Sequence, residues 1–130
     1  MKISHLDHLV LTVADIEISC QFYQSALNFE VITFGENRKA LQFGSQKINL
    51  HQVGKEFEPK AFRPTSGSAD LCFIAETPLK DVIAHLHALN IEIVEGPIER
   101  TGAIGKILSI YLRDPDQNLK DCHIKKKTTD

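Results

Sequence analysis

Six histidines and 17 acidic residues are spread along the 130-residue chain. Imidazole and carboxylate are the donors that a hard or borderline divalent cation takes while leaving positions open for substrate oxygens. Such an ion acts as a Lewis acid toward the oxygens of a bound small molecule, and a neighbouring carboxylate can act as a general base. His8 lies in an alternating segment, Asp7 to Val13, that places His8, Val10 and Thr12 on one face and Leu9, Leu11 and Val13 on the other. A histidine there is a packed or solvent-facing strand residue, or a ligand. His51 follows Asn49 by two residues in INLHQ and so shares its strand face, where it is a ligand or a rim histidine. Asp70 opens an apolar segment, and Asp121 stands in NLKDC beside Lys120, which can pair with it. Cys20, Cys72 and Cys122 form no CxxC pair, which fits reduced thiols better than a disulfide framework or a zinc ribbon.

Charge narrows the partners. Fifteen Lys and Arg against 17 Asp and Glu give a net charge of −2, without the basic stripe that displaces counterions from nucleic-acid phosphates. Lys125-Lys126-Lys127 reads as a solvated tail. No apolar run approaches the roughly 20 residues that span a bilayer, and His5, Asp7 and His8 interrupt the opening segment, unlike a secretory signal. The expectation is a small soluble cytoplasmic domain covering residues 1–130, with a small-molecule partner and neither nucleic acid nor membrane.

The elements that must position these groups repeat. ALNFEV (Ala26 to Val31) and ALNIEI (Ala88 to Ile93) are 62 residues apart. The same offset lays Leu9-Val10-Leu11 over Leu71-Cys72-Phe73 and pairs His8 with Asp70. In the first copy, Asp15 caps a helix from Ile16 to Leu27 whose inward stripe is Ile16, Cys20, Tyr23 and Leu27, and Asn28 ends it. Strands follow at Phe29 to Phe34, Ala40 to Phe43 and Lys47 to Val53. In the second copy, a strand covers Asp70 to Ala75, and Thr77 caps a helix that starts at Pro78 and buries Leu79, Val82, Leu86 and Leu89. Strands follow at Ile91 to Glu95, Ile107 to Leu112 and Leu119 to Ile124, the last two joined by the turn Arg113 to Asn118. Residues 54–68 link the copies, and Gly96 to Lys106 forms a long glycine-bearing loop, a candidate lid. Phe57, Phe62 and Arg100 in these two segments are loop anchors or substrate contacts. The expected architecture is α+β: two tandem βαβββ modules, about 4–53 and 69–124, with a basic tail at 125–130, forming a cup-shaped eight-stranded mixed sheet.

The duplication, with HLDHLVLTVADIE (His5 to Glu17), ADLCFI (Ala69 to Ile74) and YLRDPDQNL (Tyr111 to Leu119), resembles the vicinal oxygen chelate superfamily. That group includes glyoxalase I, fosfomycin and bleomycin resistance proteins and extradiol dioxygenases, and the chain looks like its glyoxalase-domain-containing protein 5 type over about residues 4 to 124. The resemblance implies a divalent metal (zinc, nickel, manganese or iron) held by residues on the first and last strands of each module. By position these are His8 and Asp70, then Asn49 and Asp121. Asn49 is an amide, Asp121 is a methylene shorter than the family's usual Glu, and Gln117 replaces the Gly of the family's DPDGN turn; His51 is an alternative nitrogen ligand. The implied activity is glyoxalase I-like isomerisation first and ring-cleaving dioxygenation second, with Asp121 and His51 as catalytic groups and Asn49 and Arg100 in the substrate pocket. The alternative is a metal-free small-molecule binding protein of the bleomycin-resistance type. The family's habits also imply a homodimer.

Overall fold

The computed structural model describes the backbone of residues 1–125 and the side chains of residues 1–119. The chain divides into two compact units, Met1–Ser68 and Ala69–Asp130. In the first, β1 (His8–Val13) leads into α1 (Ile16–Leu27), then β2 (Glu30–Phe34), β3 (Arg38–Phe43) and β4 (Gln46–Gln52). Asp15 starts α1 by accepting the Ile18 N–H on Oδ1 at 3.1 Å, satisfying an amide that the helix itself leaves open. Asn28 ends it at φ 57°, and the following Phe29 N–H returns to the Tyr23 carbonyl at 3.1 Å.

The strands run β1-β4-β3-β2, with β1 and β4 parallel and the other pairs antiparallel. By register, Leu9, Leu11, Ile48, Leu50, Leu41 and Val31 share one face. Leu11, Leu41, Ile48 and Leu50 on that face are buried. The helix contributes Ser19, Cys20, Tyr23 and Ala26, so its buried stripe is narrower in bulk than the sequence suggests: Ile16 and Leu27 are only half-buried. Tyr23 stacks on Phe29 at 5.8 Å and Phe29 on Phe43 at 4.5 Å, and this aromatic ladder ties the helix to the sheet edge. Each buried Leu or Ile contributes about 1.5–3 kcal/mol by leaving water. The opposite face carries His8, Val10 and Thr12 on β1 and Lys47, Asn49 and His51 on β4.

The second unit repeats the plan: β5 (Asp70–Ile74), α2 (Leu79–Ala88), β6 (Glu95–Gly102), β7 (Gly105–Arg113) and β8 (Leu119–Lys125), in the order β5-β8-β7-β6. The eight strands form one four-stranded sheet in each module. Asn90 ends this helix at φ 57°, as Asn28 does the first.

Three expectations change here. The cap of α2 is Pro78, at φ −54° and ψ 139°, with no side-chain cap bond; proline presets that φ, so Thr77 is not needed. Leu89, expected inside, is the C-cap and 40% exposed, and Val82 is half-buried, leaving Leu79 and Leu86 as the buried pair. The strand expected at Ile91 to Glu95 instead runs from Glu95 to Gly102, taking up most of the expected loop, and only Ala103 and Ile104 remain as the turn. β6 is an edge strand, where polar residues such as Glu99, Arg100 and Thr101 satisfy one ladder and face water on the other side, so an apolar run is not required. Gly96 sits at φ 101° where a Cβ would collide with the Ser109 carbonyl oxygen, so only glycine fits.

The Arg113 to Asn118 turn is held from within. The buried Asp114 accepts the Asp116 and Asn118 N–H groups on Oδ1 and the Asn118 Nδ2 on Oδ2, each at 2.9 Å. Asn118 in turn accepts the Ala69 N–H on Oδ1 at 2.8 Å, anchoring the entry to β5. Gln117 is forced to φ 67°, a left-handed conformation that costs an L-residue about 1–2 kcal/mol. Gln117→Gly should therefore stabilise the chain by about 1 kcal/mol once glycine's extra chain entropy is offset; an unchanged urea midpoint would contradict it.

Candidate functional site

In the first module, polar chemistry gathers on the sheet face away from α1. His8, at the start of β1, is exposed, and its Nδ1–H donates to the Asp7 carboxylate at 2.7 Å. That bond, more than the imidazole charge, holds the Asp7 carboxyl below its ordinary range. It also fixes the tautomer, turning the Nε2 lone pair away from Asp7. A carboxylate behind an imidazole is the arrangement that orients histidine ligands toward metals.

His51 has a different setting. It is 2% exposed, and its Nε2 accepts from Arg38 Nη2 at 3.3 Å. The Phe57 ring stands edge-on to it at 5.5 Å. The Arg38 guanidinium is itself flanked by Phe57 at 4.4 Å and Phe34 at 5.0 Å. Lys47 Nζ lies 4.2 Å from the Phe34 ring centre. Glu56, lowered chiefly by the Gly54 N–H that it accepts at 2.8 Å, pairs with Lys60 at 3.7 Å. Burial first, and then the Arg38 cation, push the His51 imidazole below its ordinary value of 6.5.

His51 is therefore neutral in the folded protein at neutral pH, while an unfolded histidine takes up a proton as pH falls through about 6.5. Its contribution to stability is fully present above the unfolded value and is lost as pH drops below it. His51→Gln keeps an acceptor for Arg38 but does not titrate, so stability measured by urea unfolding should fall less steeply below pH 6.5 than in the wild type. Parallel acid limbs in the two proteins would contradict this.

Among the described residues, two buried atoms nearby lack partners: Arg38 Nε and Asn49 Oδ1. Asn49 pairs with Ala40 across β3 and with Val10 on β1, and is 7% exposed.

In the second module a cavity of about 700 Å³ opens on the face of Cys72 and Ile74, walled by Ile107, Tyr111 and the strand-and-turn segment from Arg100 to Gly105. Arg100, expected in a loop, stands on β6 and donates from Nε to Tyr111 Oη at 2.9 Å and from Nη2 to Glu95 at 3.4 Å. Cys72 is exposed, whereas Cys20 is buried and its thiol is pushed up by that burial. Asp70 is exposed at the start of β5. Asp121 pairs through its backbone with Cys72 and Tyr111. Its side chain, like that of Cys122, lies outside the described residues, as does the tail from 126 onward.

The donors can be tested against a divalent ion. Among the described residues no three His, Cys, Asp or Glu side chains gather into one group. His8 fits, with an oriented ring and an outward Nε2. His51 does not, because its Nε2 lone pair is engaged and the neighbouring guanidinium repels a cation.

Sequence reasoning missed Arg38 and the Asp7 partner of His8. Arg38 alternates with Ala40 and Gln42 on β3, but only the β3–β4 register brings it to His51. Asp7 stood next to the histidine in the sequence and was a findable signal.

Known proteins place the chain. The profile of the Glyoxalase/Bleomycin resistance protein/Dioxygenase superfamily matches residues 5–120. A virulence protein of Salmonella typhimurium is 62% identical over 119 residues, covering 92% of this chain and 83% of that protein. Its crystal structure superposes with a TM-score of 0.95 at 59% identity, covering 97% of this chain and 100% of that one. A glyoxalase domain-containing protein of Mycosarcoma maydis is 56% identical over 92% of this chain and 67% of its own length. A lactoylglutathione lyase from Agrobacterium tumefaciens shares the fold at 18% identity and a TM-score of 0.73, covering 95% of this chain and 96% of that one. The duplicated βαβββ plan and these matches lead to one assignment: the chain belongs to the glyoxalase/bleomycin resistance protein/dioxygenase superfamily.

Proposed function

We propose that the chain is a metal-dependent enzyme acting on a small oxygenated molecule, with glyoxalase I-like isomerisation as the favoured reaction and ring-cleaving dioxygenation second. The observation that carries the reading is the Asp7–His8 pair, an imidazole held by a carboxylate at the strand position where the family places a metal ligand. When bound, a divalent ion supplies Lewis acidity toward adjacent substrate oxygens. In the first module His8 would hold it. Asp70 and Asp121 are the carboxylates at the matching strand positions of the second module, and Asp121 is the candidate to carry a proton between adjacent carbons. His51 acts differently in this reading: as a neutral acceptor it positions Arg38. The names of two relatives, a glyoxalase domain-containing protein and, at the level of fold, a lactoylglutathione lyase, point the same way. The family likeness also supports a homodimer, which light scattering would size.

The test is metal content and reconstitution. Protein purified without chelator should carry a transition metal. After stripping, one of nickel, zinc, manganese or iron should restore thioester formation from a 2-oxoaldehyde and glutathione, or ring opening of a catechol by dioxygen, both of whose oxygen atoms enter the product. Metal below about 0.1 equivalent with no turnover after reconstitution would overturn the proposal.

A second reading, a metal-free binding protein, is favoured by the half-buried Arg38, with its Nε unpartnered, on the same sheet face as Asn49 in the first module. It predicts ligand-induced thermal stabilisation that EDTA leaves unchanged.

A further inference from the structure

We infer that Arg38, Asn49 and His51 form a recognition subsite for a small hydroxy-carboxylate, with the carboxylate taken by Arg38 and the hydroxyl by Asn49. The inference rests on the reading above that the chain handles a small oxygenated molecule, and it names the class.

Folded proteins pair nearly all their buried polar atoms, because a stranded donor or acceptor keeps its full desolvation cost. Here one stranded atom is a donor on a cation, Arg38 Nε, and the other is a neutral acceptor, Asn49 Oδ1. Asn49 is 93% buried by the 7% that remains exposed, and it shares its strand face with His51, to which Arg38 is bonded. A single ligand can satisfy both atoms if it presents an anionic acceptor and a hydroxyl donor on adjacent carbons.

The surroundings select among anions. Phe34 and Phe57 flank the guanidinium, which confines its hydrogen bonding to its own plane, and one edge is already held by neutral His51. A carboxylate, planar like the guanidinium, can pair with it within that plane. Lys60 is paired with Glu56, while the Arg38 and Lys47 cations both lie against the Phe34 ring, which favours an anionic group there. Phe57, 38% exposed on the segment after β4, covers the guanidinium and must move aside for entry.

Calorimetry on the full chain in EDTA tests this, using 2-hydroxybutyrate, butyrate, 2-hydroxybutyramide and inorganic phosphate as probes. We expect 2-hydroxybutyrate to bind saturably. Butyrate, lacking the hydroxyl, and the amide, lacking the charge, should each bind at least about tenfold more weakly, the loss of one good hydrogen bond or ionic contact. Arg38→Met should lose about 30-fold or more and Asn49→Leu about tenfold, with circular dichroism reporting the fold. Should Arg38→Met not fold, the ligand series on the wild type and Asn49→Leu still decide.

Equal binding of hydroxy acid, butyrate and amide would overturn the inference. So would unchanged affinity in a folded Arg38→Met, preference for phosphate, or no saturable heat up to about 10 mM; in that last case a bridging water completes the two atoms. Because every arm is metal-free, failure of the His8 metal reading leaves the result standing. Metal binding without hydroxy-acid binding would sink only the subsite.

Discussion

Asp114→Ala should destabilise the protein by about 3 kcal/mol or more, lowering the thermal midpoint by roughly 10 °C. The residue is 3% exposed, and its carboxylate accepts three hydrogen bonds, one of them from the fully buried Asn118 side chain. Alanine leaves those donors without acceptors inside the protein, and a stranded buried donor costs about 1–3 kcal/mol. The damage spreads, because Asn118 Oδ1 also holds the Ala69 N–H at the entry to β5. Asp114→Asn retains one acceptor oxygen and should fall between alanine and wild type. Differential scanning calorimetry checks the order; a midpoint shift of less than about 3 °C for the alanine variant, near 1 kcal/mol for a chain of this length, would show that the turn is held by other contacts.

The second large effect concerns affinity. On the proposed metal reading, His8→Ala should weaken divalent-metal binding by more than about 100-fold, since it would remove a ligand outright, whereas Asp7→Ala should weaken it by about 10–100-fold, the usual cost of losing the group that orients a ligating imidazole. Stability should barely change in either variant, because both side chains are exposed and an exposed pair contributes little. Competition titration with a chromophoric chelator separates the two variants. Equal affinity for wild type, His8→Ala and Asp7→Ala would place the metal, if one binds, elsewhere.

Much of the fold was legible because the chain says it twice. The 62-residue offset aligned Asn28 with Asn90, and both residues end a helix at φ 57°. Asp15 capped α1 as its type and position required. The β6 strand was not legible: its polar residues, Glu99 to Thr101, read as a loop, and only their place at a sheet edge explains them. The α2 start was misread because Thr77 has the chemistry of a cap, yet Pro78 already supplies the backbone angle. For the site, residue types pointed to His8, but nothing local could reveal that His51 is occupied by Arg38. That contact crosses between β3 and β4 and depends on register, a property of pairing that one strand's sequence does not contain. Gln117 was visible as a departure from the family's glycine, and its left-handed φ gives that departure a physical cost.

The central claim is that the two histidines on one sheet face have opposite roles, His8 open to a cation and His51 closed by a guanidinium. Ring-nitrogen NMR during titration with zinc reads both at once. The account predicts a large shift at His8 Nε2 with His51 Nε2 unmoved and still neutral. A shift at His51 with His8 silent would contradict it.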